Sequence, residues 1–207
     1  MRRLVFVLAL VPMLAAGVAS ADFSGSGSGF AFPDNDPAGA SSDIVVSLAP
    51  NEIISDVSVT LTGLSHTWVG DLNASLIGPG GTIDLMFRTG DAQGDCCGDS
   101  SDLGGDYTFA DGGADWWAAA ASAGGADIIP GGTYAPTTIL GAPQSFAGTF
   151  GGTTTNGTWT LQISDEAGGD LGSLGSWTLN ITSVVPEPSS LAVLGLAGLG
   201  MLYRRRR

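Results

Sequence analysis

The sequence predicts an all-β fold, a jelly-roll-like β-sandwich, and three observations predict it. Short runs alternate apolar and polar residues, the period of a strand with one buried face. Glycine, proline and aspartate interrupt these runs at short intervals, and the 207 residues include 33 glycines and 10 prolines. Hardly any stretch between the two ends has a helical period. Many short strands between Gly/Pro/Asp turns are the pattern of a sandwich or jelly roll.

The two ends read as addresses flanking this body. Residues 1–21 carry Arg2 and Arg3, an apolar run, and Ala19-Ser20-Ala21. That is the charged start, apolar middle and small-residue exit of a secretory signal peptide, with cleavage expected after Ala21. At the other end, Val185-Pro186-Glu187-Pro188 precedes an apolar stretch over 191–203 and then Arg204, Arg205, Arg206 and Arg207. The apolar stretch is shorter than the roughly 20 residues that span a bilayer comfortably, and the arginine cluster belongs on the cytoplasmic side. This tail resembles the PEP-CTERM sorting signal. The resemblance implies recognition by an exosortase, a short C-terminal apolar helix that anchors the chain transiently in the inner membrane, and delivery to the cell surface or exopolysaccharide matrix. The domain expectation is therefore 1–21 signal peptide, 22–184 sandwich and 185–207 sorting tail.

Within the body, residues 22–29 are rich in glycine and serine and read as a flexible lead-in. Phe30-Ala31-Phe32 is extended and ends in a Pro33-Asp34 turn. Residues 43–48 read as a strand. Residues 53–64 alternate with Val57, Val59 and Leu61 on one face. Leu72, Ala74 and Leu76 form a strand, Gly78-Pro79-Gly80-Gly81 turns it, and residues 83–87 return. Residues 90–115 are acidic and glycine-rich without clear period, and an insertion of that length is usually functional or tied down. Trp116 to Ala121 suits a short helical turn, and residues 146–150 a short strand. The clearest signal comes last: Trp159-Thr160-Leu161-Gln162-Ile163 and Trp177-Thr178-Leu179-Asn180-Ile181 repeat one pattern on either side of an acidic loop. They read as a long hairpin whose tryptophans face the core.

Charge narrows the partners. The formal net charge is −13, and of seven basic residues only Arg88 lies between the two ends. Such a body repels nucleic acid and anionic lipid, because phosphate binding needs cations; membrane contact is left to the tail. Acidity of this kind suits divalent cations or solubility outside the cell.

The order of motifs carries a further resemblance. Phe32-Pro33-Asp34, His66-Thr67-Trp68-Val69-Gly70-Asp71-Leu72 and Leu76-Ile77-Gly78-Pro79-Gly80-Gly81-Thr82 come first. Phe109-Ala110-Asp111, Gly132-Thr133-Tyr134-Ala135-Pro136, Gly157-Thr158-Trp159-Thr160-Leu161 and Asp170-Leu171-Gly172-Ser173-Leu174-Gly175-Ser176-Trp177 follow. The succession resembles the P domain (P/Homo B domain) of proprotein convertases over roughly residues 23–182. The resemblance implies a jelly-roll sandwich, with calcium binding in some bacterial members. It also implies a departure from the family, a P domain without its protease.

No catalytic set emerges. His66 is the single histidine, no G-x-S-x-G elbow accompanies a serine, and ligand spacing for zinc is missing; His66 is expected to be structural. Adjacent Cys96 and Cys97 leave a strained vicinal ring or intermolecular pairing as the oxidised forms. Calcium takes several carboxylate and carbonyl oxygens, and Asp71, Asp165, Glu166 and Asp170 converge if the loop after Ile163 lies beside the 68–72 loop. Asp111 and Asp115 make a second candidate set, as does the cluster Asp91, Asp95, Asp99, Asp102 and Asp106. Trp68, Trp116 and Trp117 are candidates for stacking on sugar rings, with Trp116 and Trp117 the sharper pair; Trp159 and Trp177 belong to the core. The expected function is that of an exported, non-enzymatic surface or matrix module, engaging exopolysaccharide or a surface protein. The alternatives are a carbohydrate-binding module and an accessory domain for a separate exported protease.

Overall fold

The computed structural model describes residues 20–92 and 97–185. Ala19, Asp95, Cys96 and the whole sorting signal from Pro186, with Glu187, Pro188, Arg204, Arg205, Arg206 and Arg207, lie outside them. Nine strands follow in chain order: β1 Ser20–Phe32, β2 Asp36–Val46, β3 Ile53–His66, β4 Leu72–Gly78, β5 Gly81–Phe87, β6 Leu103–Ala114, β7 Gly132–Tyr134, β8 Gly157–Asp165 and β9 Gly172–Val184. Two short helices, α1 Trp116–Ala123 and α2 Phe146–Phe150, interrupt them. The strands form two sheets, ordered β1-β9-β3-β6-β7 and β2-β8-β4-β5, packed as the expected sandwich.

The period-2 runs supply the core. Val57, Val59 and Leu61 of β3, Leu161 and Ile163 of β8, and Leu179 and Ile181 of β9 are all buried between the sheets. The outward face of the five-stranded sheet carries their polar neighbours, where Ser24 donates to Asn180 (2.8 Å) and Thr60 and Thr108 share a hydrogen bond (2.9 Å).

The two W-T-L-x-I runs do not form the expected hairpin. β8 belongs to the four-stranded sheet and β9 to the five-stranded one. Each run presents Trp, Leu and Ile on a single face, and placing them in opposite sheets lets the two apolar faces bury each other. Trp159 and Trp177 are both fully buried. Trp177 spans the interior, its indole N–H donating to Ser42 Oγ on β2 of the facing sheet (3.1 Å).

Three other segments depart from expectation. Residues 22–29 are not flexible: they belong to β1, which pairs with β9 in one unbroken register from Ser20 opposite Val184 to Phe32 opposite Gly172. The Ser-Gly repeat is itself a period-2 pattern, with Ser24, Ser26 and Ser28 exposed and the glycines turned inward. Gly27 opposes Trp177, and a Cβ there would lie 1.9 Å from the indole nitrogen. Only glycine lets this strand close over so large a ring.

Residues 103–114 of the acidic insertion are strand β6, with Tyr107 and Phe109 inward. Residues 146–150 form α2 rather than a strand. Phe146 and Phe150, one turn apart, are buried together. Ser145 caps the helix, and Asp111 accepts from the Phe146 and Ala147 N–H groups (2.8 and 3.0 Å).

The expected helical turn at Trp116 is α1, capped by Asp115, whose Oδ1 accepts from Ala118 N–H (3.0 Å). The 72–76 and 83–87 strands pair as expected, closed at Gly78 opposite Gly81.

Candidate functional site: an acidic corner at the far end of the sandwich

Four chain segments meet at one end of the sandwich: the end of β3 with the Val69–Asp71 3-10 turn, residues 88–92, residues 97–101, and the β8–β9 connection. His66 lies at its base, fully buried with Asp165. Its Nε2 donates to Asp165 Oδ2 (3.1 Å), while Nδ1 faces both the N–H and the carbonyl of Trp68, at 3.1 and 2.9 Å. The ring is wedged against Phe32, with ring centroids 5.8 Å apart. A Cβ at Gly172 would come 1.9 Å from Phe32 and 2.7 Å from His66. His66 is thus buried with both ring nitrogens engaged inside the fold.

The carboxylates expected to converge do share this corner. The Glu166 N–H donates to the Asp71 carbonyl (2.9 Å), Asp170 accepts from the Thr67 hydroxyl (2.5 Å), and Glu166 accepts from Asn73 and Ser164 (2.9 Å each). Asp165 Oδ1 turns the chain by accepting from Ala167 N–H (3.1 Å). Asp71 stands apart: it is 4 % exposed, yet its Oδ1 is buried without a hydrogen-bond partner. Burial pushes its carboxyl above the ordinary carboxylate range, and repulsion from Asp165 and Asp170 adds to the effect; His66 and Arg88 pull the other way. The corner suits a cation by charge. It is not a preformed ligand shell, since among the described residues no three His, Cys, Asp or Glu side chains are grouped to hold a metal ion.

Arg88 was not singled out as a site residue from sequence, and the 97–101 segment was represented there only by Asp99 of the second acidic cluster. Arg88, in a left-handed conformation at φ 38°, pairs with Asp91 (3.2 Å) and adds the corner's positive charge beside Asp71. Its being the one basic residue of the body was the available signal. The 97–101 segment closes the other side. Gly70 N–H donates to the Asp99 carbonyl and Asp99 N–H to the Thr89 carbonyl (2.9 and 2.7 Å), and the Trp68 indole donates to the Cys97 carbonyl. Cys97 is disulfide-bonded.

The other candidates lie elsewhere. The Asp111 carboxylate is occupied by α2 and Ser145, and Asp115 by α1. Asp106 accepts from Gly63 N–H (2.8 Å) and Asp99 from Ser101 N–H (2.8 Å). Trp116 cannot stack on a ligand: it is fully buried among Tyr107, Phe109 and Tyr134, its indole donating to Thr89 Oγ1 (2.7 Å). Trp117 is half-buried against the core. A cleft of about 490 Å³ between α1 and residues 127–134 includes none of the corner's carboxylates.

Asp71 makes a pH prediction. Its folded-state proton affinity exceeds the unfolded value, so its contribution to stability is complete below pH about 4 and is lost as pH rises through the raised folded value. Asp71→Asn removes that loss. In calcium-free buffer at pH 7 the variant should match or exceed the wild type, by about 1–2 kcal/mol if the orphaned carboxylate is relieved, and the gap should close toward pH 3. Urea unfolding at the two pH values measures it; a variant less stable than the wild type by the same margin at both pH values would contradict the assignment.

Comparison with known proteins gives two family matches. Residues 143–181 match the proprotein convertase P-domain and residues 184–207 the PEP-CTERM protein-sorting motif. Among solved structures the chain is similar to a serine protease of Aeromonas sobria, at 14% identity and TM-score 0.43, covering 84% of this chain and 28% of that one. It is likewise similar to the complex of the A. sobria serine protease with its chaperone ORF2, at 14% identity and TM-score 0.43, covering 82% of this chain and 27% of that one. The chain thus spans under a third of the length of those structures. No curated protein matches. The PEP-CTERM motif marks an exported protein sorted through the membrane. The family matches thus cover the last part of the body, similar to the proprotein convertase P-domain over 143–181, and the tail, which matches the PEP-CTERM protein-sorting motif over 184–207.

Proposed function

We propose that this is a non-catalytic surface or matrix module that holds its acidic corner away from the membrane and uses it, with calcium bound, to engage exopolysaccharide or a surface protein after exosortase processing. One observation carries the reading: the buried Asp71 carboxylate, with an unpartnered oxygen, beside Asp165 and Asp170. A calcium ion is a hard cation that takes carboxylate and carbonyl oxygens. Asp71, Asp165, Glu166 and Asp170 are the residues that would hold it, and its charge would relieve their mutual repulsion.

Orientation supports the same reading. β9 begins at Gly172, beneath Phe32 and His66, and ends at Val184, the first residue of the sorting motif. Its 13 residues span about 43 Å at about 3.3 Å each. The corner therefore lies about one strand length from the segment that leads into the tail.

Cosedimentation of the purified chain with extracellular polysaccharide from its producing cells tests the proposal. Retention in millimolar calcium, lost in EDTA and lost in Asp71→Asn, is the expected result. Retention indifferent to EDTA would move the binding surface away from the corner.

A further inference from the structure

A sheet edge exposes unpaired backbone N–H and C=O groups, and proteins that stay monomeric blunt such edges by shortness, bulges, proline, charge or a covering loop. Three of the four edges of this sandwich are blunted. β7 has three residues and lies between Pro130 and Pro136. β5 is covered by the 137–144 segment, where Thr137 N–H donates to the Leu85 carbonyl (3.1 Å) and the Gln144 side chain to the Asp84 carbonyl (3.3 Å). β2 contains Pro37 and a register break between Asp36 and Ala40, with Gly39 at φ 60°.

Among the described residues the fourth edge, β1, has no proline and no bulge, and its one charged side chain is Asp22 near its start. It is 13 residues long, its register with β9 is unbroken, and it contains no proline, lysine or arginine. Among the described residues its ladder partner is β9 alone. Its central side chains are serines and glycines, which leave the backbone open to approach.

We propose that β1 is a pairing edge and that its occupant is β1 of a second copy of this chain, antiparallel, joining two five-stranded sheets into one of ten. The strand is self-complementary about Ser26. That two-fold register places Ser24 opposite Ser28, Gly25 opposite Gly27, Phe23 opposite Gly29 and Asp22 opposite Phe30. No like charges meet in this register; a directly opposed like-charge pair would have disfavoured it. The inference is independent of the calcium reading, since it uses no residue of the corner. Cleavage after Ala21 leaves residues 22–32 in place.

Light scattering coupled to size exclusion, on the purified full chain over a hundredfold concentration range, tests it. A concentration-dependent dimer is expected for the wild type. Ser26 is exposed, so Ser26→Lys should keep the wild-type melting temperature and circular dichroism while weakening the dimer at least tenfold, because the two lysines would oppose each other. An equimolar mixture of Ser26→Lys and Ser26→Asp chains should recover the dimer as a heterodimer. A wild type that stays monomeric throughout would overturn the proposal, as would a dimer that Ser26→Lys leaves unchanged.

Discussion

His66→Ala is expected to lower the melting temperature by roughly 6–20 °C. The side chain is fully buried with Asp165, and removing one partner of such a pair leaves an uncompensated carboxylate in the interior, a cost of about 3–5 kcal/mol. For a domain of this size each kcal/mol moves the midpoint by roughly 2–4 °C. The same substitution also opens a cavity beside Phe32, whose ring packs on the imidazole. Burial alone does not distinguish these causes, but a double-mutant cycle does. If the stranded charge dominates, Asp165→Asn combined with His66→Ala should be more stable than His66→Ala alone, with a coupling of at least about 1 kcal/mol. Additive losses would mean that His66 contributes packing only.

Trp177→Ala should cost a similar amount, about 3–5 kcal/mol, through lost burial and the cavity left behind. Its more informative consequence concerns the Ser-Gly repeat. Gly27→Ala in the wild type places a methyl group 1.9 Å from the indole nitrogen, so β1 must lift from the core or Trp177 must leave its rotamer, at about 1–3 kcal/mol. In the Trp177→Ala background the methyl group enters vacated space, and Gly27→Ala should be neutral or stabilising. That reversal, read by chemical denaturation, tests whether β1 is a core strand. Equal effects in both backgrounds would mean that the repeat does not close over Trp177.

Much of this was legible in the sequence, and the failures share a cause. Strict alternation located β3, β4, β5, β8 and β9, because an alternating run has one face to bury. It did not say which strands pair: Trp159 and Trp177 sit in identical local patterns, and only packing decides whether two apolar faces lie side by side or oppose each other. Glycine misled twice. In residues 22–29 its lack of a side chain resembled a flexible lead-in, although the period was that of a strand. In residues 103–114 it hid the alternation of Tyr107 and Phe109 among Gly-Asp steps. Phe146 to Phe150 failed differently: the run is too short to show a period, and Asp111, distant in sequence, supplies the hydrogen bonds that make it helical. At the corner, loop proximity put Asp71, Asp165, Glu166 and Asp170 on segments that meet, although among the described residues their side chains do not group into a ligand shell. The contribution of the 97–101 segment depends on backbone contacts that no local pattern announces, and Arg88 was marked only by being the body's one basic residue.

Two consequences of Asp71 pull in opposite directions, which makes it the discriminating residue. Without a cation its ionised carboxylate is a burden on the fold. With one bound it becomes a ligand. Asp71→Asn is therefore expected to help stability in EDTA and to abolish any gain from calcium, a pattern that a merely solvated acidic surface does not produce.

The most direct measurement is a set of thermal melts at pH 7 in EDTA, in millimolar magnesium and in millimolar calcium, for the wild type and Asp71→Asn. A site filled to about 100 times its Kd adds about 2.7 kcal/mol, or roughly 5–11 °C here. The expected result is a rise of that order for the wild type in calcium, little in magnesium, and none for Asp71→Asn. Equal melting temperatures of the wild type in all three buffers, or a calcium rise that survives Asp71→Asn, would contradict a calcium-dependent function for the corner.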